Sequence, residues 1–256
     1  MENNILDTVN DYYERFMFGE QAVPIDKIGF FNVGYWNGVE DSLEVAQINL
    51  IETLVSFFTN TDGNVLDVAC GKGASTKFLT KYFAPKNIIG IDISERQLEI
   101  CRVIAPECDF KLMDATNLNF SDSSFDNVLC IESANHFLTR YKFLEEAHRI
   151  LKPAGRLAIW DYFYDENLLG VIGPAHPKEN YLPSLDAYRE DMLKVGFKYV
   201  RIEDATEFSV KSFQRHQVKR MEREFEKKRD YKILEKIIQS QRHVDGTTVC
   251  LVYAIK

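Results

Sequence analysis

The chain has 256 residues, 45% of them hydrophobic, and a formal net charge of −8 at pH 7. It is long and apolar enough for one α/β domain with a full core, and its negative charge argues against a nucleic-acid partner, whose phosphates require a basic surface. No apolar run is long enough to cross a membrane, the N-terminus lacks the basic flank of a signal peptide, and the five cysteines contain no Cys-x-x-Cys pair. We therefore expect a cytoplasmic protein with neither a disulfide framework nor a zinc site.

Two helices are predicted before the first strand. Residues 2–20 place apolar side chains on one broad face, which predicts a helix. A second helix is predicted over residues 42–59. Between them, Tyr35 and Trp36 are candidates to roof an apolar pocket together with Tyr12 and Tyr13, although aromatic residues at helical spacing are commonly core.

The run Asn64-Val-Leu-Asp-Val-Ala-Cys-Gly-Lys-Gly73 predicts a buried strand that turns through two glycines into a helix, with an acid at Asp67. Glycine lets the backbone approach a ligand closely and then begin a helix, so this arrangement is typical of a nucleotide-like cofactor site. A Gly-x-Gly turn also occurs as plain punctuation between a strand and a helix. The strands that follow favour the cofactor site.

Two further strands end in acids. The run Asn87-Ile-Ile-Gly-Ile-Asp92 ends about 20 residues beyond the glycines, where a doubly wound fold places the residue that binds a ribose. The next helix begins at Ser94, whose spacing to Gln97 fits a capping box. A third strand ends at Asp114.

The three acids are expected to meet at one edge of the sheet. Parallel strands bind ligands in the crevice beyond their carboxyl ends, and Asp67, Asp92 and Asp114 would line that crevice. An acidic rim disfavours a pyrophosphate. It suits a cofactor with a positive charge and hydrogen-bond donors.

The fourth and fifth strands supply candidates for catalysis. The strand over residues 125–131 should bring Glu132, Asn135 and His136 to the edge that holds the glycine loop. His136 is a candidate general base, because an imidazole with an ordinary pKa of about 6.5 is largely neutral in the cytoplasm. It can equally serve only to pack and bond beneath the loop. Asp161, at the end of the fifth strand, could orient a base, bind the acceptor or merely end the strand.

The remaining elements are a Gly/Pro-rich loop and the last part of a sheet. Residues 164–182 predict the loop, followed by a helix at 184–195, a strand at 197–202, a charged helical stretch at 209–242 and a last strand at 247–255. Because Glu222, Glu224 and Glu226 interleave with the basic residues, the charged stretch is read as a solvated helix or lid. His176, His216 and His243 show no metal-ligand spacing, which favours surface or lid roles and no metal site.

In its motifs the chain resembles the class I S-adenosylmethionine-dependent methyltransferases. The motifs that support the resemblance occur in the family's order: the glycine loop, the runs that contain Asp92 and Asp114, and the stretches Phe125-Asp-Asn-Val-Leu-Cys-Ile-Glu-Ser-Ala-Asn-His-Phe137 and Glu146-Ala-His-Arg-Ile-Leu-Lys-Pro-Ala-Gly-Arg-Leu-Ala-Ile-Trp-Asp161. The segment Phe31-Asn-Val-Gly-Tyr-Trp36 is similar to the branch that methylates natural products, sterols, tocopherols and sugars.

The resemblance implies an α/β fold and a division of the chain. The fold is a Rossmann-like, doubly wound seven-stranded sheet, mostly parallel with an antiparallel last strand, plus an N-terminal helix and a helical lid. We expect a single domain, with N-terminal helices in residues 1–60, the cofactor-binding core in 61–163 and the acceptor and lid region in 164–256.

The resemblance also implies the reaction and its residues. S-adenosylmethionine would donate a methyl group to oxygen, carbon or nitrogen of a small-molecule acceptor, leaving S-adenosylhomocysteine. The catalytic candidates are His136 and Asp161, where related enzymes often have two histidines in place of Asn135-His136. The residues expected to bind the cofactor are Phe31, Asn32, Asp67, Ala69, Gly71, Gly73, Asp92, Ile93, Gln97, Asp114, Ala115 and Glu132. Ala69 stands where the family loop commonly has its first glycine.

Two other functions are left open. A nicotinamide-dependent oxidoreductase would use the same strand, turn and helix with Asp92, but the loop has Thr76 in place of the third glycine and Asp114 would have no role. A cofactor-binding regulatory or scaffold protein could keep the fold without turnover. The acceptor and the oligomeric state are not predicted.

Overall fold

The computed structural model describes residues 8–12, 15, 29–38, 42–168, 176–233, 235–236 and 246–256. Of the helix predicted over residues 2–20, residues 8–12 and 15 are helical, and the rest lies outside the described residues, as does His243. Within the described residues no helix has the length and apolar character needed to cross a membrane.

Seven strands among the described residues form one sheet in the order β3-β2-β1-β4-β5-β7-β6. The strands are β1 Val65–Val68, β2 Ile88–Asp92, β3 Asp109–Leu112, β4 Phe125–Ile131, β5 Leu151–Tyr164, β6 Tyr199–Asp204 and β7 Thr247–Ile255. Strands β1 to β5 pair in parallel, and β7 runs antiparallel between β5 and β6. The prediction of a doubly wound, mostly parallel sheet with an antiparallel last strand is confirmed.

The helices lie between the strands in sequence. They are α1 Leu43–Val55, α2 Ala74–Leu79, α3 Glu95–Ile104, α4 Arg140–Ile150, α5 Leu185–Val195 and α6 Ser212–Lys228. Side-chain oxygens of Ser42, Ser94 and Thr139 accept hydrogen bonds from backbone N–H groups in the first turns of α1, α3 and α4. Such caps satisfy N–H groups that have no partner inside the helix.

The sheet is buried on both faces, so successive side chains of its central strands point alternately into two cores. In β4, Val128 and Cys130 pack into the core that contains α4 and α5, whereas Leu129 packs into the core that contains α1 and α2. Strand β7 alternates in the same way. This burial explains why these strands read as nearly continuous apolar runs, and it holds the carboxyl ends of β1, β2 and β4 at one rigid edge.

Several predicted boundaries differ from the structure. Helix α1 ends at Val55 rather than at residue 59, and α6 occupies Ser212–Lys228 within the predicted stretch 209–242, after a π-helical turn at Glu207–Lys211. The fifth strand, which the sequence predicts over residues 156–163, begins at Leu151. Its early start follows from pairing, since Leu151 already lies opposite Phe125 of β4 before a register shift.

Candidate active site

A cavity of about 380 Å³ lies at the carboxyl ends of β1, β2 and β4. It brings together most of the predicted site. The predicted residues that line it are Phe31, Asn32, Asp67, Ala69, Gly71, Asp92, Ile93, Gln97, Asp114, Ala115, Glu132 and His136. Gly73 and Asp161 are not in its wall.

The glycine loop after β1 is pinned to the end of β2. The backbone N–H of Gly71 donates to Oδ2 of Asp92 over 2.9 Å, and both Ala69 and Gly71 have left-handed backbone angles, with φ of +55° and +57°. Gly73, with φ of +83°, precedes α2, and a Cβ there would lie 3.0 Å from Sγ of Cys101. Gly73 therefore permits close packing of α2 against α3, and its contact with the cofactor stays a prediction.

Asp67 is held by the first turn of α2. Its Oδ2 accepts hydrogen bonds from the hydroxyls of Ser75 and Thr76, each over 2.7 Å. Burial nevertheless raises the pKa of Asp67 to about 6. Thr76, which stands where a dinucleotide fold has its third glycine, thus anchors this carboxylate beneath the loop.

Asp92 faces the cavity from the end of β2. Its Oδ1 accepts a hydrogen bond from the Ser94 backbone N–H over 3.0 Å, in addition to the Gly71 bond. Burial raises its pKa to about 6 against the effect of these bonds. A carboxylate oxygen accepts more than one hydrogen bond, so Asp92 retains capacity for hydroxyl groups of a ligand.

Three amide oxygens in the cavity wall are left without hydrogen bonds. Oδ1 of Asn10, Oδ1 of Asn32 and Oε1 of Gln97 are buried and have no partner among the described residues. Ser94 caps α3 through the Gln97 backbone N–H, but the Gln97 amide does not complete the predicted capping box and instead lines the cavity. Buried acceptors of this kind need donors, and a ligand with amino and hydroxyl groups would supply them.

The segment 29–38 covers the glycine loop and is tied to three elements. The Gln47 side chain of α1 donates to the carbonyl of Asn32 over 2.7 Å, and the Ser209 hydroxyl donates to the carbonyl of Gly34 over 2.6 Å. The third tie runs from the Val33 backbone N–H to Oε1 of Glu132. These contacts hold Phe31 and Asn32 in the wall of the cavity.

Glu132 and Asp114 complete the set of acids. Burial raises the pKa of Glu132 to about 8, so this carboxyl is largely protonated at neutral pH. Asp114 accepts hydrogen bonds from the backbone N–H and hydroxyl of Thr116, over 2.8 and 2.9 Å. That turn places Ala115 in the cavity wall.

His136 lies in the short turn that follows β4 and is 5% exposed. The backbone on both sides of it is fixed by one side chain, because Nδ2 of Asn180 donates to the carbonyls of Asn135 and Phe137 over 3.0 and 2.7 Å. His136 therefore has a defined place in the cavity wall, as expected from its position after β4.

Asp161 has a structural environment that the sequence did not predict. It is fully buried, and its Oδ2 accepts hydrogen bonds from Nε of Arg140 over 2.7 Å and from the Tyr188 hydroxyl over 3.1 Å. Arg140 also donates to the carbonyls of Asn180 and Tyr162. The pair therefore holds β5, α4 and α5 together, and Asp161 is a poor candidate for a base that reaches the acceptor.

His176, for which a surface or lid role is predicted, is partly buried. Its ring lies 4.5 Å from the ring of His136, measured between centroids. Helix α6 likewise contributes Phe213 and Gln217 to the cavity wall, and residues 9, 10 and 12 contribute from the N-terminal side. None of these contacts has a signal in the sequence, since each joins segments that are far apart in the chain.

The chain is similar to known methyltransferases. Residues 66–159 match the family described as "Methyltransferase domain". The O-methyltransferase rstn1 of Aspergillus nomiae is 32% identical over 195 residues, which are 71% of this chain and 86% of that protein. The 27-O-demethylrifamycin SV methyltransferase of Amycolatopsis mediterranei is 29% identical over 192 residues, 69% of each chain.

A solved structure supports the fold over the whole chain. A geranyl diphosphate methyltransferase in complex with GPP and sinefungin has a TM-score of 0.75, a sequence identity of 15%, and coverage of 98% of this chain and 99% of that one. At this identity the likeness establishes the fold alone.

Proposed function

The chain belongs to the S-adenosylmethionine-dependent methyltransferases, and we propose that it methylates a hydroxyl oxygen of a small, largely apolar molecule with His136 as the general base. The family membership and the cofactor disfavour the nicotinamide-dependent alternative. The observation that supports the proposal most is that His136 and the glycine loop line the same cavity.

The residues of the cavity fit the cofactor. The unpartnered oxygens of Asn32 and Gln97 are acceptors for amino groups, and Asp92 has remaining capacity for the two ribose hydroxyls. Asp114, after β3, is assigned to the adenine amine. Bound in this cradle, S-adenosylmethionine supplies a methyl group activated by its positive sulfur.

The charges in the cavity indicate which acceptors are excluded. Among the described residues that line it are four carboxyl groups, those of Asp67, Asp92, Asp114 and Glu132, and one lysine, Lys72. A phosphate or diphosphate would need paired basic groups. The acceptor we propose is therefore uncharged, unlike the geranyl diphosphate named for the structural neighbour.

Much of the remaining cavity wall is apolar. Met113, Phe137 and Tyr162 lie on the sheet side, and Phe213 comes from α6. Of the predicted roof, Tyr12 lines the cavity, Tyr35 and Trp36 do not, and Tyr13 lies outside the described residues. An apolar wall of this kind binds apolar molecules.

The residues contribute position and proton transfer. Holding an acceptor oxygen in line with the methyl group and the sulfur of the cofactor contributes up to about 7–11 kcal/mol to lowering the barrier. A ring nitrogen of His136 takes the hydroxyl proton as the oxygen attacks, an effect typically worth about 10²–10⁴-fold in rate. Oxygen is favoured over carbon and nitrogen because both relatives above are named for O-methylation or for an O-demethylated substrate.

The proposal is tested with uncharged phenolic and polyketide alcohols, scored by mass spectrometry for a gain of one methyl group. On an accepted alcohol, His136→Gln should lose about 10²–10⁴-fold in kcat with little change in cofactor affinity by calorimetry. The matched control is His216→Gln, at a histidine that does not line the cavity. If His136→Gln methylated the alcohol at the wild-type rate, His136 would not be the general base. Exclusive methylation of amines would overturn the assignment to oxygen.

A further inference from the structure

Two imidazoles from distant parts of the chain meet behind the cavity wall. His136 follows β4, and His176 lies 40 residues later in the loop after β5, yet their ring centroids are 4.5 Å apart with an angle of 42° between the planes. His136 lines the cavity and His176 does not. His176 therefore backs the His136 ring on the side away from the acceptor.

The second histidine is itself held in place. Nδ2 of Asn135 lies 3.1 Å from Nδ1 of His176, so the amide donates to that nitrogen and the proton of the neutral ring sits on Nε2. The edge of the Tyr164 ring meets the His176 ring with centroids 5.2 Å apart. Asn180 fixes the backbone around His136. The contact between the His136 and His176 rings is thus part of an ordered network of hydrogen bonds and ring contacts.

The surroundings keep His176 neutral. Burial lowers its pKa to about 3, with further lowering from His136 and Arg140. Arg140 is paired with Asp161, and the tyrosines Tyr162 and Tyr164 face the ring from β5. His176 therefore does not take up a proton near neutral pH.

We propose that His176 is a positioning residue for His136: its neutral ring packs on the His136 ring, holds it toward the acceptor and stabilises its protonated form. The inference rests on the proposed function, in which His136 accepts the proton. A neutral aromatic face attracts a cation placed against it, and a fixed ring avoids reorganisation during the reaction. In space, His176 provides the second imidazole that the sequence Asn135-His136 lacks.

The test compares His176→Phe with His176→Leu. Both side chains are apolar and neither can accept the Asn135 hydrogen bond, so the difference between them isolates the aromatic face. The first readout is the NMR titration of the His136 ring in protein loaded with S-adenosylhomocysteine, with the resonance assigned by its loss in His136→Gln. The second readout is kcat on an accepted alcohol.

We expect the titration midpoint of His136 to fall by about half to one unit in His176→Leu relative to His176→Phe. We expect kcat to fall about tenfold in His176→Leu and to stay within about threefold of wild type in His176→Phe. Equal midpoints in the two variants, with equally lowered thermal stability, would show that His176 only fills space and would overturn the inference.

The two proposals fail in different ways. If His136→Gln keeps full turnover, the assignment of His136 as the general base is wrong, even if the shift in the His136 titration midpoint shows that the two rings interact. If His136→Gln is inactive while both His176 variants match wild type in midpoint and kcat, His136 remains the base and the positioning role is wrong. Should His176→Leu not fold, His176→Gln removes the ring while keeping a group that can bond Asn135.

Discussion

The Glu132 carboxyl accepts a hydrogen bond from the backbone N–H of Val33, with 2.5 Å between Oε1 and the nitrogen. The bond joins the end of β4 to the segment 29–38 that covers the glycine loop. Glu132 also has a left-handed backbone angle, with φ of +55°. A single acid thus both lines the cavity and fastens its cover, and its protonation is coupled to the stability of the fold.

Replacing Glu132 with glutamine should change how thermal stability depends on pH. Burial raises the pKa of Glu132 to about 8 from 4.5. The folded protein therefore binds more protons than the unfolded chain between these values, and this contribution to stability is lost as pH rises through about 8. Glu132→Gln cannot ionise at this position. The melting temperature of the variant minus that of wild type should therefore increase from pH 5 to pH 9.

The control for this prediction is Glu99→Gln, at an exposed position in α3. Its melting temperature should follow that of wild type across the same range. Melting curves by circular dichroism check both variants. A constant difference between Glu132→Gln and wild type at all pH values would contradict the raised pKa.

Replacing Asp92 with alanine should weaken cofactor binding. Hydrogen bonds to a charged group contribute about 1.5–3 kcal/mol, which corresponds to roughly 10- to 150-fold in affinity. Calorimetry with S-adenosylhomocysteine measures the change, and Asp109→Ala, at the exposed start of β3, is the control. Because Asp92 also accepts the Gly71 and Ser94 N–H bonds, circular dichroism should accompany each titration. If folded Asp92→Ala bound S-adenosylhomocysteine with unchanged affinity, Asp92 would not be a cofactor-binding residue.

Replacing Ala69 with glycine should stabilise the protein. Ala69 has φ of +55°, a left-handed angle that costs an L-residue about 1–2 kcal/mol and glycine very little. After the larger chain entropy of unfolded glycine is subtracted, we expect a gain of roughly 0.5–1 kcal/mol in the free energy of unfolding. Denaturant titration measures it. Ala187→Gly, inside α5, should instead lose about 1 kcal/mol, and equal losses at both positions would refute the strain at Ala69.

Replacing Asp161 with asparagine should affect folding rather than proton transfer. The change leaves the buried Arg140 guanidinium without its charged partner, and breaking such a pair typically costs about 3–5 kcal/mol. Asp122→Asn removes the exposed partner of Arg149 and should cost under about 1 kcal/mol. Denaturant titration compares the two. A stable Asp161→Asn variant with a selective loss of kcat would return Asp161 to a catalytic role.

The sequence predicted the acids and the glycine loop that line the cavity. Asp67 lies in β1, Asp92 ends β2 and Asp114 lies two residues after β3, and the glycine loop follows the first of these strands. Parallel strands bring their carboxyl ends to one edge whatever the details of packing. Local pattern therefore predicted both the fold and the residues that line the cavity after β1, β2, β3 and β4.

The roles of the other residues depend on contacts that form only on folding. Gly73 packs on Cys101, Asp161 pairs with Arg140, and His176 packs against His136. Each contact joins residues more than 20 positions apart, and helix or strand periodicity reports only which face of an element is buried, not which partner covers it. The roles of these residues follow from side-chain packing between elements, which exists only once the sheet and its helices have assembled.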